Sequence, residues 1–145
     1  MYNETYEEKI FKRLNEVIEN SNSKYYNYPV AAILECSDGK LYPGVNIETS
    51  SPASGTCAER CAIFTAISNG YKKEHFKKIY LLNKTENIIT PCFVCRQALN
   101  DYCNPDLEII SYNILGESKT YILKDLCNHA FGEDSLKWKV VMLVL

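Results

Sequence analysis

Two cysteine-bearing segments constrain this chain more than any other feature of its sequence. The first reads Thr-Cys-Ala-Glu-Arg-Cys (56–61), and the second reads Pro-Cys-Phe-Val-Cys-Arg (91–96). Three thiols from two such distant segments can bind one metal ion only if the fold brings the segments together. Any fold for this chain must therefore place the two segments side by side.

The size and charge of the chain bound what it can be. It has 145 residues, 46% of them hydrophobic and 23% charged, which suits one globular domain with a sizeable core. We therefore treat 1–145 as a single domain, with 137–145 as a C-terminal extension. The formal net charge of -2 argues against nucleic acid as the main partner.

The cysteine count and the chain ends indicate the compartment. The acidic, polar residues 1–8 are unlike a secretory signal, and the apolar run 140–145 is too short to span a bilayer. We therefore expect a cytoplasmic protein without a membrane partner. In that compartment, seven cysteines favour metal binding or catalysis over a disulfide scaffold.

Hydrophobic periodicity predicts helices and strands in the order αββαβαββα, which indicates a sheet covered by helices on both faces. The predicted helices are 5–19 (with a capping box formed by Thr5 and Glu8), 57–69, 90–103 and 123–130, and the predicted strands are 28–35, 40–47, 76–82, 107–112 and 120–123. The last two strands are separated by too few residues for a parallel crossover, so they should pair antiparallel.

The pair Cys92 and Cys95, near a predicted helix start with Pro91 in its first turn, fits half of a zinc site but also a redox dithiol. Cys57 supplies a third thiol from a second helix start. Three protein ligands leave an open position for water, as in catalytic zinc sites. Cys61, one helical turn after Cys57, leaves two alternatives open: a closed four-cysteine structural site, or a small apolar residue in the core.

Glu59 also has two interpretations. Thr56 and Glu59 match a capping box, in which the glutamate bonds the N-cap amide and has no catalytic role. Alternatively, a carboxylate two residues after a zinc thiolate can take a proton from a water at the metal and deliver it to the substrate. Zinc with an adjacent glutamate is what hydrolytic deamination of a base requires.

The motifs Cys-Ala-Glu-Arg (57–60) and Pro-Cys-Phe-Val-Cys-Arg-Gln (91–97) together resemble the zinc motifs of the cytidine deaminase family, in its small homotetrameric branch. The resemblance includes Gly-Val-Asn-Ile-Glu (44–48) and His-Ala-Phe-Gly (129–132), and it covers about 5–136 in the family's order. It implies a three-layer α/β/α sandwich with a five-stranded mixed sheet.

The resemblance also implies an activity: zinc-dependent hydrolytic deamination of cytidine and 2′-deoxycytidine to uridine and 2′-deoxyuridine. Ammonia is released, and the reaction serves pyrimidine salvage. By the same resemblance, Cys57, Cys92 and Cys95 would bind one Zn²⁺ per subunit. Glu59 would deprotonate the water, and would then protonate the pyrimidine N3 and the leaving ammonia.

Further residues match the family's contacts to its small-molecule nucleoside substrate. Asn46 and Glu48 match the pair that bonds a ribose hydroxyl, Tyr28 stands where an aromatic residue packs on the nucleoside, and Ala58 belongs to the same binding site. Phe131 matches an aromatic residue that reaches into a neighbouring subunit, which implies a homotetramer with its sites at subunit interfaces.

Two arginines and several departures from the family pattern concern the surroundings of the site. Arg60 and Arg96 follow ligand cysteines, where they could bond the sulfurs and offset the negative charge of three thiolates. Tyr28 replaces the usual Phe, the loop 49–53 lacks the usual aromatic residue, and Phe-Val (93–94) replaces Gly-Ala. These departures affect the shape of the pocket rather than the zinc chemistry.

Two alternative functions remain at the level of the sequence. A deaminase of a modified nucleoside such as blasticidin S shares the zinc motifs, although Asn46 and Glu48 favour an ordinary nucleoside. A non-catalytic zinc module would use Cys61 as the fourth ligand.

Overall fold

The chain forms one five-stranded mixed sheet, as predicted. The computed structural model describes residues 3–137, so 138–145, the bulk of the predicted C-terminal extension, lie outside the described residues. The strands are β1 Val30–Cys36, β2 Leu41–Val45, β3 Phe76–Asn83, β4 Glu108–Tyr112 and β5 Ser118–Ile122. Their order is β2-β1-β3-β4-β5, with β3 and β4 parallel and the other neighbours antiparallel. The antiparallel pairing of the last two strands is confirmed.

The predicted helices are present with changed ends. They are α1 Tyr6–Ile18, α2 Ala58–Ser68, α3 Phe93–Tyr102 and α4 Leu123–Leu126. Short 3₁₀ turns lie between β2 and α2 (Pro52–Ser54), between α2 and β3 (Lys73–His75) and after α4 (Glu133–Leu136). The prediction that the last helix reaches Ala130 is wrong, because Cys127 leaves the helical region and His129 adopts a positive φ of 54°. Within residues 3–137, no helix is long and apolar enough to cross a membrane.

Helix α1 covers one face of the sheet. The predicted capping box forms, because the Thr5 amide donates to Glu8 Oε2 at 2.7 Å and the Glu8 amide donates to Thr5 Oγ1 at 3.2 Å. From this start, Ile10 and Leu14 are buried against side chains of β1 and β3 that include Ile33. The periodic apolar positions of the sequence thus form the first layer of the core.

Helices α2 and α3 cover the opposite face, which confirms the three-layer sandwich. Alanines one turn apart on α2, Ala58 and Ala62, are fully buried against the sheet. Gly44 of β2 makes this approach possible: a Cβ there would lie 2.3 Å from the Ala58 carbonyl oxygen and 2.5 Å from the Ala62 amide nitrogen. Small residues on both sides therefore set the distance between α2 and the sheet.

The substitution Gly44→Ala should destabilise the protein by about 1–3 kcal/mol, since the added methyl group meets helix backbone that cannot move aside. Gly132→Ala is the matched control, because a Cβ there has only Asn100 Nδ2 near it, at 3.7 Å. Urea denaturation of both variants measures the free energies of unfolding. Equal stability of the two variants would contradict the proposed close packing of α2 on β2.

Candidate metal centre and substrate pocket

The topology of the sheet explains why the two cysteine segments meet. Strands β2 and β3 both run antiparallel to β1, so they point in the same direction and end at the same edge of the sheet. The chain passes from β2 into α2 and from β3 into α3. Both helices therefore begin near the same edge, and their N-termini bring the cysteines together.

The three thiols form a cluster of the size that zinc requires. The Sγ atoms of Cys57 and Cys92 are 3.8 Å apart, and those of Cys57, Cys92 and Cys95 all lie within 4.8 Å of one another. A tetrahedral zinc ion with Zn–S bonds of about 2.3 Å holds sulfurs roughly 3.8 Å apart. The donor set and its spacing thus fit one zinc ion with a fourth position open.

Two of the thiols occupy N-cap positions, where serine or aspartate is more usual. Cys57 is the N-cap of α2 and Cys92 the N-cap of α3. The free amides and the positive end of each helix therefore face the thiol cluster. Pro91 was predicted in the first turn of α3, which is wrong: Cys92 has an extended ψ of 162°, so the helix begins after it, at Phe93.

Hydrogen bonds within the cluster shift the pKa values of Cys57 and Cys95 in opposite directions. The pKa of Cys57 is lowered to about 5, chiefly by a hydrogen bond from Cys95 and then by Arg60 and Cys92. Donation to Cys57 and then burial raise the pKa of Cys95 above its usual range. Zinc binding to three thiolates must displace such protons, so zinc affinity should fall as the pH falls.

Arg60 contacts the thiol cluster directly. Its Nη2 lies 3.8 Å from the Sγ of Cys57. The positive charge of the guanidinium offsets part of the negative charge that three thiolates bring to one zinc ion. This is the position that the sequence-based interpretation assigned to Arg60.

Arg96, expected beside a sulfur, directs its guanidinium to oxygen atoms instead. Its Nε donates to the Pro91 carbonyl at 2.8 Å, Nη1 to the Leu126 carbonyl at 3.2 Å, and Nη2 to Thr90 Oγ1 at 2.8 Å. The expected sulfur contact is wrong for Arg96, because oxygen is the stronger acceptor. Arg96 therefore holds the segment before Cys92 against the end of α4.

Glu59 is buried beside the thiols, in the first turn of α2, with 4% of its surface exposed. The capping box considered for Thr56 and Glu59 does not form: Cys57 is the N-cap, and the Thr56 hydroxyl donates to the Cys57 carbonyl at 3.3 Å. Burial, and secondarily the Cys57 thiolate, raises the pKa of Glu59. A raised pKa suits a carboxyl group that must both accept and donate a proton.

The thiol cluster and Glu59 open into a pocket of about 510 Å³. Of the predicted substrate-binding residues, Tyr28, Asn46, Glu48 and Ala58 line this pocket together with Glu59. The residues that the sequence interpretation missed are Tyr26, Val30, Ile89 and Thr90. Their only sequence signal is adjacency, since they lie within two residues of Tyr28 or Pro91.

Asn46 already uses most of its hydrogen-bonding capacity within the protein. Its Oδ1 accepts from the Val30 amide at 2.8 Å and from the Ser21 hydroxyl at 2.5 Å, and its Nδ2 donates to the Tyr28 carbonyl at 2.9 Å. An amide nitrogen carries two hydrogens, so one remains for a ligand. Asn46 therefore holds the start of β1 in place and can still contact a substrate.

Glu48 holds the preceding turn in a similar way. Its Oε2 accepts from the amides of Tyr25 at 2.7 Å and Tyr26 at 3.2 Å. Within residues 3–137, these two hydrogen bonds leave Oε1 for a hydroxyl group of a ligand. The backbone of the turn at Tyr25 and Tyr26 and the Glu48 carboxylate are thus fixed relative to each other.

Phe131 lies away from this pocket in its own chain. Its side chain is 58% exposed, and its carbonyl accepts from Gln97 Nε2 at 2.9 Å, on the outer side of α3. It lines a separate pocket of about 530 Å³ with Gln97 and Asn100. A role for its ring in catalysis therefore requires a second copy of the chain.

Cys61 is also separate from the thiol cluster. It lines a small cavity of about 210 Å³ with Arg13 and Pro43. Among the residues that the structure describes, only Cys57, Cys92 and Cys95 have donor atoms grouped closely enough for a metal ion. The closed four-cysteine site is therefore excluded for this part of the chain.

Comparison with known proteins agrees with this site. Residues 4–110 match the sequence profile described as the cytidine and deoxycytidylate deaminase zinc-binding region. The chain belongs to the cytidine deaminase family. The cytidine deaminase of Sporosarcina psychrophila is 32% identical over 131 residues, which cover 90% of this chain and 95% of that protein.

Solved structures of cytidine deaminases share the fold. The crystal structure of the enzyme from Burkholderia pseudomallei superposes with a TM-score of 0.82 at 32% identity, covering 88% of this chain and 99% of that one. The enzyme from Mycobacterium leprae gives a TM-score of 0.66 at 27% identity, over 81% of this chain and 92% of that one. A blasticidin-S deaminase of Bacillus cereus is 28% identical over 92 residues, 58% of this chain and 64% of that protein.

Zinc content should separate Cys57 from Cys61. We expect Cys57→Ser to lose most bound zinc, because a hydroxyl group is a poor replacement for a thiolate ligand. Cys61→Ser, one turn along the same helix, should keep the wild-type zinc-to-protein ratio. Elemental analysis of dialysed protein measures both ratios, and equal zinc loss in the two variants would contradict the three-thiol site.

Proposed function

We propose that this chain converts cytidine and 2′-deoxycytidine to uridine and 2′-deoxyuridine by hydrolysis, as a step of pyrimidine salvage. The observation that carries the proposal is the zinc-sized thiol cluster beside the buried Glu59, inside a pocket of about 510 Å³. Family membership supports the same reaction.

At the base end of the pocket, the chain supplies the metal ligands and a proton carrier. Cys57, Cys92 and Cys95 would hold zinc, which supplies a Lewis acid that activates water for attack on C4 of the pyrimidine. Glu59 would accept a proton from that water and deliver it to N3, and it would then carry the second proton of the former water to the amino group, which leaves as ammonia. Burial of Glu59 excludes bulk water from these transfers.

At the sugar end, Asn46 and Glu48 would bond a ribose hydroxyl with the remaining N–H and the second carboxylate oxygen. Tyr28 and Ala58 line the same pocket, where the Tyr28 ring would pack on the nucleoside and Ala58 would lie under the base. A polar pair that satisfies a substrate hydroxyl discriminates strongly against analogues that lack it. Both ribose and deoxyribose carry a 3′-hydroxyl, so both nucleosides remain substrates.

We place the enzyme in the cytoplasm and take its partner to be a small nucleoside rather than a polynucleotide. All seven cysteines are free thiols, which persist in a reducing compartment. The net charge of -2 offers no general attraction for phosphate backbones.

We also propose a homotetramer with its sites at subunit interfaces. Several large apolar side chains are exposed around α3: Phe93 at 80%, Val94 at 61% and Phe131 at 58%. Exposed apolar groups of this size next to a site are typical of protein contact surfaces. Association would bury them and would bring Phe131 of one copy towards the pocket of another.

Replacing Glu59 with Gln should keep zinc bound and lower turnover of cytidine by about 10²–10⁴-fold, the usual contribution of a general acid–base. The decrease in ultraviolet absorbance as cytidine is consumed measures the rate, and wild-type enzyme with a chelator serves as the zinc-free reference. Near-wild-type activity of the variant would overturn the mechanism. Faster wild-type turnover of blasticidin S than of cytidine would instead assign the site to a modified nucleoside.

Mixing two variants of low activity tests the role of Phe131 across subunits. Phe131→Ala should be weakly active because it offers no ring to its neighbour, and Glu59→Gln is inactive in its own pocket. Co-refolded mixtures should regain activity, since some pockets then combine Glu59 from one copy with Phe131 from another. Light scattering gives the oligomer mass. A mixture no more active than the sum of its components would contradict the shared site.

A further inference from the structure

A second pocket adjoins the one that contains Glu59. It measures about 430 Å³, and the two pockets share four lining residues: Tyr26, Asn46, Glu48 and Cys57. A residue that lines two neighbouring pockets lies on the boundary between them. The second pocket also presents the hydroxyl-bearing residues Thr49, Ser50 and Thr56.

Three of the four boundary side chains are held in place. The thiol of Cys57 belongs to the metal cluster. The Asn46 amide makes three hydrogen bonds, and Glu48 accepts two from backbone amides. None of these side chains can leave the boundary without breaking contacts that hold the fold of this region.

Tyr26 is the exception among the four. Its side chain is 74% exposed. Within residues 3–137, neither its hydroxyl nor its ring forms a hydrogen bond, an aromatic pair or a cation–π contact. The ring is therefore the part of the boundary that can turn.

The backbone that carries this ring is fixed. The Tyr26 amide donates to Glu48 Oε2 at 3.2 Å, and the next amide, that of Asn27, donates to the Ser23 carbonyl at 2.7 Å. Asn27 adopts a φ of 51°, in the left-handed region that asparagine tolerates better than most residues. The ring thus moves about its own side-chain bonds on a rigid turn.

We propose that Tyr26 is a specificity-determining residue whose ring separates the two pockets and so restricts the site to cytosine nucleosides with an unsubstituted sugar. This inference rests on the proposed function. With the ring displaced, the joined pockets admit cytosine nucleosides that carry an additional polar substituent on the sugar. The Ser50 hydroxyl would hydrogen-bond such a substituent, and the hydroxyls of Thr49 and Thr56, which already donate to the Ser51 and Cys57 carbonyls, would accept a hydrogen bond from it.

The test compares cytidine with two cytidines that carry a 2-hydroxyethyl ether on O3′ or O5′ of the ribose. For each enzyme, the ratio of kcat/KM for an ether to kcat/KM for cytidine is measured. This ratio does not depend on the fraction of active protein. We expect Tyr26→Ala to raise it at least tenfold for one of the two ethers, because a pocket that excludes a few atoms discriminates by about 10–200-fold.

Tyr26→Phe is the matched control. It keeps the ring and loses only the hydroxyl group, so its ratios should equal those of the wild type. Unchanged ratios in Tyr26→Ala for both ethers, or an equal rise in Tyr26→Phe, would overturn the role of the ring.

Failure of the proposed function has a different signature. Wild-type enzyme loaded with zinc would then turn over neither cytidine nor the ethers, and the assignment of Tyr26 would be rejected along with it. Turnover of cytidine with unchanged ratios in Tyr26→Ala rejects the assignment of Tyr26 alone.

Discussion

The convergence of two helix N-termini at one edge of the sheet is the constraint on which the rest of this structure depends. Three thiolates on one zinc ion leave a net charge of about -1, which water offsets only in part because Cys95 is buried. The two helix ends and the guanidinium of Arg60, 3.8 Å from Cys57, supply positive charge where it is needed. The close contact of Gly44 with α2 sets one helix end, and Arg96 holds the segment that leads to the other.

Asn46 and Glu48, the two residues proposed to contact the sugar, also hold part of the pocket wall in place. Asn46 and Glu48 hold the segment from Ser21 to Val30 through five hydrogen bonds, so the groups offered to a substrate are already oriented. Such preorganisation lowers the entropy lost when a ligand binds. It also means that changes at either residue affect the pocket wall together with any direct contact to the sugar.

Much of the fold was predictable from local patterns. The capping box at Thr5, the apolar period of α1 and the alternation of strands and helices depend on neighbouring residues, and these predictions were confirmed. Errors occurred where a single residue leaves a regular conformation, as at Cys92 and Cys127. Periodicity carries no information on such local dihedral angles.

The sequence by itself determined the candidate groups of the site, namely the thiols of the two cysteine motifs and the carboxylate of Glu59, but it left open whether Cys61 is a fourth ligand and whether Glu59 only caps a helix. Only the tertiary structure decided which candidates belong to the site. Cys61 lies one helical turn from Cys57 and Arg96 lies next to Cys95, yet they face a different cavity and carbonyl oxygens, respectively. The direction of a side chain depends on the packing of whole helices against the sheet, and that packing is set by residues distant in the chain.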